Sequence, residues 1–177
     1  GQNVISTKGA IHYLTENGIN KNKDYLNSFI KKDERIIWTF IMGGPTKYYD
    51  YSTENIKEIF ITLSELSKKH NFQLVIIPSM RTPTNIIQYT KEYFGDDHTV
   101  IMDVDKKAYL SALAIAQNII VTCDSSSMIS EAALTGKPIY VASILPKKND
   151  KRFQKFRNLF RELNIIKNLG EEIEDWN

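Results

Sequence analysis

Five short apolar runs recur along the chain, and none shows the apolar–polar alternation of a half-solvated strand. They are Arg35 to Met42, Phe72 to Pro78, Thr99 to Met102, Ile119 to Thr122 and Pro138 to Ala142. A strand with no polar face must be covered on both sides, which is the situation of a parallel sheet between two layers of helices. The stretches between the runs carry helical patterns, so strand and helix alternate along the chain. That alternation predicts a right-handed, doubly wound α/β fold with a mostly parallel, Rossmann-like sheet.

The intervening helices carry their own signals. Ser52 or Thr53 suits the cap of a helix running to Lys69, with Ile56, Ile59, Phe60, Leu63 and Leu66 on one stripe. Pro83 suits the first turn of a helix that runs to Phe94 and closes at Gly95. Lys106 to Gln117 is rich in Ala and Leu, and Ser125 to Thr135 is followed by Gly136 as a C-terminal cap. A last helix is expected from Asp150 to Leu163. Residues 1–34 break the rhythm, with a short strand expected at Asn3 to Ser6 and a polar helix from Asn20 to Lys31. They read as a connector from a missing N-terminal half, which leaves 35–177 as the Rossmann-like domain. The opening Gly1-Gln2-Asn3, with no initiator methionine, suits a piece of a longer protein.

Length and composition narrow the function. A chain of 177 residues, 42% hydrophobic and 25% charged, supports one sizeable core. Lys and Arg total 23 against 21 Asp and Glu, which makes no case for nucleic acid as a partner. Lys147, Lys148, Lys151 and Arg152 form the one dense basic run, which suits a solvated helix start. Cys123 is the single cysteine, so no disulfide forms within the chain and a reducing, cytoplasmic location fits. It reads as a small core residue rather than a nucleophile. No apolar stretch approaches the roughly 18–20 residues of a membrane span, and membrane association is not indicated. His12, His70 and His98 stand alone, without the spacing of a metal site, so no protein-held metal is expected.

Three segments fall where expected strands end, the edge at which open α/β sheets bind ligands. Asp124-Ser125-Ser126-Ser127-Met128-Ile129-Ser130-Glu131 joins the fourth strand to its helix. Its serines offer hydroxyls, and the helix start offers unpaired N–H groups, to an anion. Glu131, about one and a half turns in, can accept two hydrogen bonds from a ribose diol. Plain helix capping by Ser125 or Ser126, with Glu131 in solvent, fits the spacing equally. After the first strand, Gly43-Gly44-Pro45-Thr46-Lys47 permits a close phosphate approach or a bare turn, with Lys47 adding charge. It is neither a P-loop nor a dinucleotide fingerprint. After the second, Ser79-Met80-Arg81-Thr82-Pro83 brings Arg81, a bidentate diphosphate partner or an ordinary surface arginine, and beside it Thr82.

Taken together, these segments resemble the elongated-mitochondria (mitochondrial fission) family of glycosyltransferase-like proteins of bacteria and plants. The matching pieces are Asn3 to Ala10, Ile41 to Pro45, Ser79 to Pro83, Thr122 to Ala132 and Thr135-Gly136-Lys137-Pro138. In the third of these the family pattern has two arginines, and Met80 stands in place of the first. The resemblance implies the C-terminal half of a GT-B-type fold, the half that binds the donor nucleotide. The same Asp-Ser, Glu-Ala and Gly-Lys-Pro pattern resembles the non-hydrolysing UDP-N-acetylglucosamine 2-epimerases, which implies that Ser125 or Ser126 and Glu131 hold a nucleotide.

Three functions follow as expectations. The first is the donor domain of a GT-B-type glycosyltransferase, with a nucleoside-diphosphate sugar as substrate and no tightly bound cofactor. Its partner is the missing N-terminal half, from which the unassigned catalytic base would come. The second is a nucleoside-diphosphate-sugar epimerase on the same fold. An epimerase of the short-chain-dehydrogenase kind is disfavoured, because no Tyr is followed four residues later by Lys. The third is a non-catalytic scaffold that keeps the fold.

Overall fold

The computed structural model describes residues 14–122 and 124–143, together with the backbone of 166–168. In chain order the elements are α1 (Glu16–Lys21), a 3-10 turn (Lys23–Leu26), β1 (Ile36–Ile41), α2 (Thr53–His70), β2 (Phe72–Ile77), α3 (Thr84–Phe94) and β3 (Thr99–Val100). There follow α4 (Lys106–Ile115), β4 (Asn118–Thr122), α5 (Ser126–Ala133), β5 (Ile139–Ala142) and β6 (Ile166–Asn168). The helix expected at 150–163, the strand at 3–6, and His12 and Cys123 lie outside the described residues.

All six strands are parallel, in the order β3-β2-β1-β4-β5-β6. From β1 the chain steps outward to β2 and β3, then crosses to the other side of β1 for β4. The loops that leave β1 and β4 therefore diverge at a topological switch point, where such sheets open a ligand crevice.

The apolar runs have the double burial that their lack of alternation demands. Along β2 every residue is buried, and successive side chains enter two different clusters. Phe72, Leu74 and Ile76 pack with Phe60, Leu63 and Leu66 of α2. Val75 and Ile77 face the opposite way, against Ala108 and Ala112 of α4 and Leu26. The period of two is present, but both phases are apolar. Trp38 stacks on Phe72 with ring centroids 4.1 Å apart and the rings nearly parallel, and on Tyr140 at 5.6 Å.

Helix ends follow their capping residues. Ser52 Oγ accepts from the Asn55 N–H, and Asn71 closes α2 in the left-handed conformation at φ 54°. Gly136 takes φ 71° beyond α5. The polar helix expected from Asn20 to Lys31 is a different object. Helix α1 begins earlier, under a Thr15 cap, and stops at Lys21, where the Asn22 side chain donates to the Gly18 carbonyl. Leu26 is then drawn fully under the domain: its N–H donates to Ser111 Oγ, which donates in turn to the Lys23 carbonyl. Anchorage to α4 wins over continuation of an exposed helix. Helix α4 also ends two residues short of Gln117, because the Gln117 N–H is taken by the Ile37 carbonyl as the chain turns into β4.

Candidate functional site

The loops after β1, β2 and β4 meet on one buried carboxylate. Asp124 is 2% exposed, and its Oδ2 accepts from the Gly44 N–H at 3.0 Å and from Arg81 Nη1 at 3.1 Å. Tyr51 Oη lies 2.6 Å from Asp124 Oδ1 and 2.6 Å from Thr122 Oγ1, and Thr122 Oγ1 accepts from the Gly43 N–H at 2.9 Å. A single proton assignment satisfies the chain. The Tyr51 hydroxyl donates to the charged carboxylate, the stronger acceptor, and the Thr122 hydroxyl donates to Tyr51. Buried charge is tolerated here because each carboxylate oxygen has a donor.

The two glycines are explained by the same carboxylate. A Cβ on Gly43 would lie 2.0 Å from Asp124 Oδ2, and one on Gly44 would lie 2.0 Å from the Arg81 carbonyl oxygen. The close approach that they permit in this molecule is between loops. Thr82 joins them from the far side: its Oγ1 lies 2.6 Å from the Gly43 carbonyl and accepts from the Ser79 N–H at 2.9 Å. Arg81 also donates to the Gly44 carbonyl at 3.0 Å, while its side chain remains 41% exposed toward the carboxyl edge.

Helix α5 starts beside this knot. Ser125 is buried, and its Oγ accepts from the Met128 N–H at 3.4 Å, so the first serine is the helix cap. Ser126 opens the helix half-buried, and Ser127 is exposed on its outer side. Ser127, Met128 and Glu131 form one wall of a cavity of about 370 Å³, mostly apolar, closed by Leu14, Pro78, Met80, Val104 and Tyr109. Lys106 and Asp105, at the start of α4, complete the rim. Such a cavity, largely apolar with a few convergent polar groups, has the form of a small-molecule site.

Glu131 does not point to open solvent. It is half-buried, and its Oε1 accepts a short hydrogen bond from the Tyr109 hydroxyl. Burial pushes the Glu131 carboxyl above its ordinary value, against the Tyr109 bond and the Lys106 charge, which both pull it down. Tyr109 is pushed far up by burial and by the neighbouring carboxylate, so its proton stays on.

The expected residues therefore divide into two groups and an outlier. Gly43, Gly44 and Arg81 converge on Asp124, with Thr82 bonded to the Gly43 carbonyl; Ser127 and Glu131 line the cavity, and the capping Ser125 and half-buried Ser126 lie between the two groups. Lys47 joins neither: it is exposed, with Nζ 5.2 Å from the Tyr48 ring centroid. Sequence reasoning missed Tyr51 and Tyr109, which reach their partners from α2's approach and from α4 with no spacing to betray them. Lys137 has a structural task, donating to the Leu113 and Ala114 carbonyls at the end of α4 at 2.7 and 2.6 Å. A larger, open depression of about 570 Å³ lies at the amino edge of the sheet, lined by Asp33, Arg35, Asn71 and Asp97 among others. Its arginine is already paired with two of the three carboxylates there, Arg35 to Asp33 at 2.8 Å and to Asp97 at 3.3 Å. Parallel sheets present ligand sites at the carboxyl ends of their strands, so the smaller cavity is the candidate.

Fold and site together define an all-parallel, doubly wound Rossmann-like domain with its candidate cavity at the carboxyl edge, beside the β1–β4 switch point. The whole chain, residues 1–177, matches the family described as Mitochondrial fission ELM1, and the protein belongs to that family. It is 25% identical over 140 residues to the mitochondrial fission protein ELM1 of Arabidopsis thaliana, covering 78% of this chain and 33% of that protein. It is 37% identical over 111 residues to the uncharacterized protein RP120 of Rickettsia prowazekii (strain Madrid E), covering 57% of this chain and 30% of that one. The chain thus spans about a third of the length of these relatives.

Among solved structures, the UDP-GlcNAc 2-epimerase of Neisseria meningitidis bound to UDP-GlcNAc superposes with a TM-score of 0.52 at 21% identity, covering 92% of this chain and 39% of that one. A structure described as a UDP-N-acetylglucosamine 2-epimerase from Listeria monocytogenes gives 0.51 at 16%, covering 84% and 39%. At such identities the likeness is one of fold, the GT-B type. No helix among the described residues is long and apolar enough to cross a membrane.

Proposed function

We propose that this chain is the sugar-nucleotide-binding, C-terminal lobe of a GT-B-type glycosyltransferase, joined through residues 1–34 to an N-terminal lobe. The observation that carries the reading is Glu131, a carboxylate held by Tyr109 on the wall of a mostly apolar cavity at the carboxyl edge of a parallel sheet. A nucleoside offers such a wall a flat apolar base and a pair of ribose hydroxyls, and the carboxylate accepts from the latter. The diphosphate then runs toward the start of α5, where Ser127 and the unpaired N–H groups of the first turn favour an anion. Arg81, tethered by Nη1 to Asp124 and still partly exposed, is the nearby cation.

The chemistry this arrangement serves is departure of a nucleoside diphosphate. Fixed donors aimed at the leaving phosphate oxygens stabilise the charge that develops as the glycosidic bond breaks, without a metal ion. The acceptor and its base belong to the facing lobe in this reading. One observation favours a second reading, a nucleoside-diphosphate-sugar epimerase: both solved structures above are described as 2-epimerases, and one holds UDP-GlcNAc.

Calorimetric titration of the chain with UDP, GDP and UDP-N-acetylglucosamine tests the shared core of both. Binding at millimolar concentration or tighter, abolished by Glu131→Ala, supports a nucleotide site. Absence of binding by any of the three overturns it and points to a scaffold. Product analysis then separates the enzymes, since an epimerase converts the sugar nucleotide with no acceptor present.

A further inference from the structure

Tyr109 lies on α4 and Glu131 on α5, on adjoining walls of the same cavity, and the bond between these residues, 22 apart in the chain, joins the two helices. A half-buried carboxylate has two oxygens and a free torsion. Here one oxygen is held by a hydroxyl that cannot be lost as a proton donor at any ordinary pH, and the plane of the carboxylate is fixed by that contact. We infer, resting on the nucleotide reading above, that Tyr109 is a positioning residue that makes the cavity selective for a ribose over a deoxyribose by aiming the second oxygen of Glu131 at a ligand hydroxyl.

The geometry of the surroundings supports this. The other polar groups on the cavity wall are poorly placed for the task. Asp105 is committed to capping α4, accepting from the Lys107 and Ala108 N–H groups, and it also accepts from the Tyr25 hydroxyl at 2.7 Å. Lys106 is a donor and Ser127 is exposed, the Ser79 hydroxyl is engaged with the Thr82 hydroxyl at 3.2 Å, and the remaining wall is Leu14, Pro78, Met80, Val104 and Met128. A hydroxyl entering this space therefore meets one strong acceptor, Glu131. An apolar wall discriminates weakly, whereas an oriented acceptor left unpaired by the wrong ligand discriminates strongly. Tyr109 contributes a second property. Its bond favours the charged carboxylate, in the same sense as Lys106 and against the desolvation that raises the carboxyl. Removing the hydroxyl leaves desolvation with less opposition, so the carboxylate takes up its proton at a higher pH and stops accepting two bonds there.

The test is calorimetric titration of the full chain with UDP and with 2′-deoxy-UDP over a range of pH, in the wild type, Tyr109→Phe, Glu131→Gln and the double variant, each checked for an intact cooperative melt. The wild type is expected to prefer UDP by about tenfold, the size of one charge-assisted hydrogen bond. Tyr109→Phe is expected to reduce that preference to about twofold or less, and to move the loss of UDP binding at low pH upward. Glu131→Gln is expected to abolish the preference and the pH dependence, and adding Tyr109→Phe to it should change nothing more, since the tyrosine acts through the carboxylate. A Tyr109→Phe variant with the wild-type preference and pH profile overturns the role of Tyr109 while leaving the nucleotide site standing, as does a double variant in which the two losses add. Failure of the wild type to bind either nucleotide overturns both readings at once.

Discussion

The hydroxyl of Tyr51 lies 2.6 Å from the carboxylate of Asp124, and through that pair the approach to α2 is bonded to the segment that leads into α5. The carboxylate also holds the Gly44 amide and the Arg81 guanidinium. Three loops at the carboxyl edge thus share one anchor, and the shape of that edge depends on a residue with almost no surface of its own.

Replacing Asp124 with Asn puts an amide where three donors converge. The variant is expected to lose about 2–4 kcal/mol, as in other buried charge networks broken at one partner. Tyr51→Phe should lose about 1.5–3 kcal/mol, the range for a hydrogen bond to a charged group. Urea denaturation read by tryptophan fluorescence measures both. A loss near zero for Asp124→Asn contradicts the anchoring role.

Three glycine-to-alanine substitutions should differ sharply. Gly43→Ala and Gly44→Ala each force a methyl group to 2.0 Å from a neighbouring oxygen, so either is expected to exceed about 3 kcal/mol or to prevent folding. Gly136→Ala meets nothing within 4 Å but must hold φ 71°, and should lose only about 1 kcal/mol. Melting temperatures of the three variants check the order.

His98 supplies a pH dependence. It is buried, its Nδ1 accepts from the Leu74 N–H at 2.9 Å, and burial pulls it down from 6.5 to about 4, with Asp97 opposing and Arg35 and Lys31 adding to the fall. Between those two values the unfolded chain binds a proton that the native chain refuses, so stability is fully present above the upper one and falls as pH falls toward the lower. The loss attributable to His98 across that window is on the order of 3 kcal/mol. Denaturation midpoints should fall over this range in the wild type and fall less in His98→Asn, whose side-chain carbonyl still accepts from Leu74. Equal slopes would contradict the assignment.

Lys137 belongs to α4 rather than to a ligand. Lys137→Met removes the donor to two terminal carbonyls and should lower stability by about 1–2 kcal/mol, with nucleotide affinity unchanged. Denaturation and titration on the same preparation separate the two effects.

How much of this was legible from residues alone follows from the kind of signal each feature leaves. Strands β1, β2, β4 and β5 were plain, because burial on two faces writes itself as an unbroken apolar run. Helices α2 and α3 were nearly as plain, since Ser52, Pro83 and Gly95 sit at their ends. The N-terminal segment was not, because Leu26 is buried by a hydrogen-bonded contact with Ser111, 85 residues away. The site was readable as a set of loops at one edge but not as a geometry. Nothing in the spacing of Asp124 and Tyr51, 73 residues apart, or of Tyr109 and Glu131, announces a bond. Gly43 and Gly44 were visible as points of close approach, and only the fold shows that the approaching atoms belong to Asp124 and Arg81.

The central claim is that a nucleotide occupies the cavity between α4 and α5, and amide chemical-shift mapping during a UDP titration of isotopically labelled chain tests it most directly. The expected result is that the amides of Val104, Tyr109, Ser127, Met128 and Glu131 shift together along one saturable curve, while Asp33, Asn71 and Asp97 at the opposite edge stay still. Shifts confined to the Asp33–Asp97 edge, or none that saturate, would contradict it.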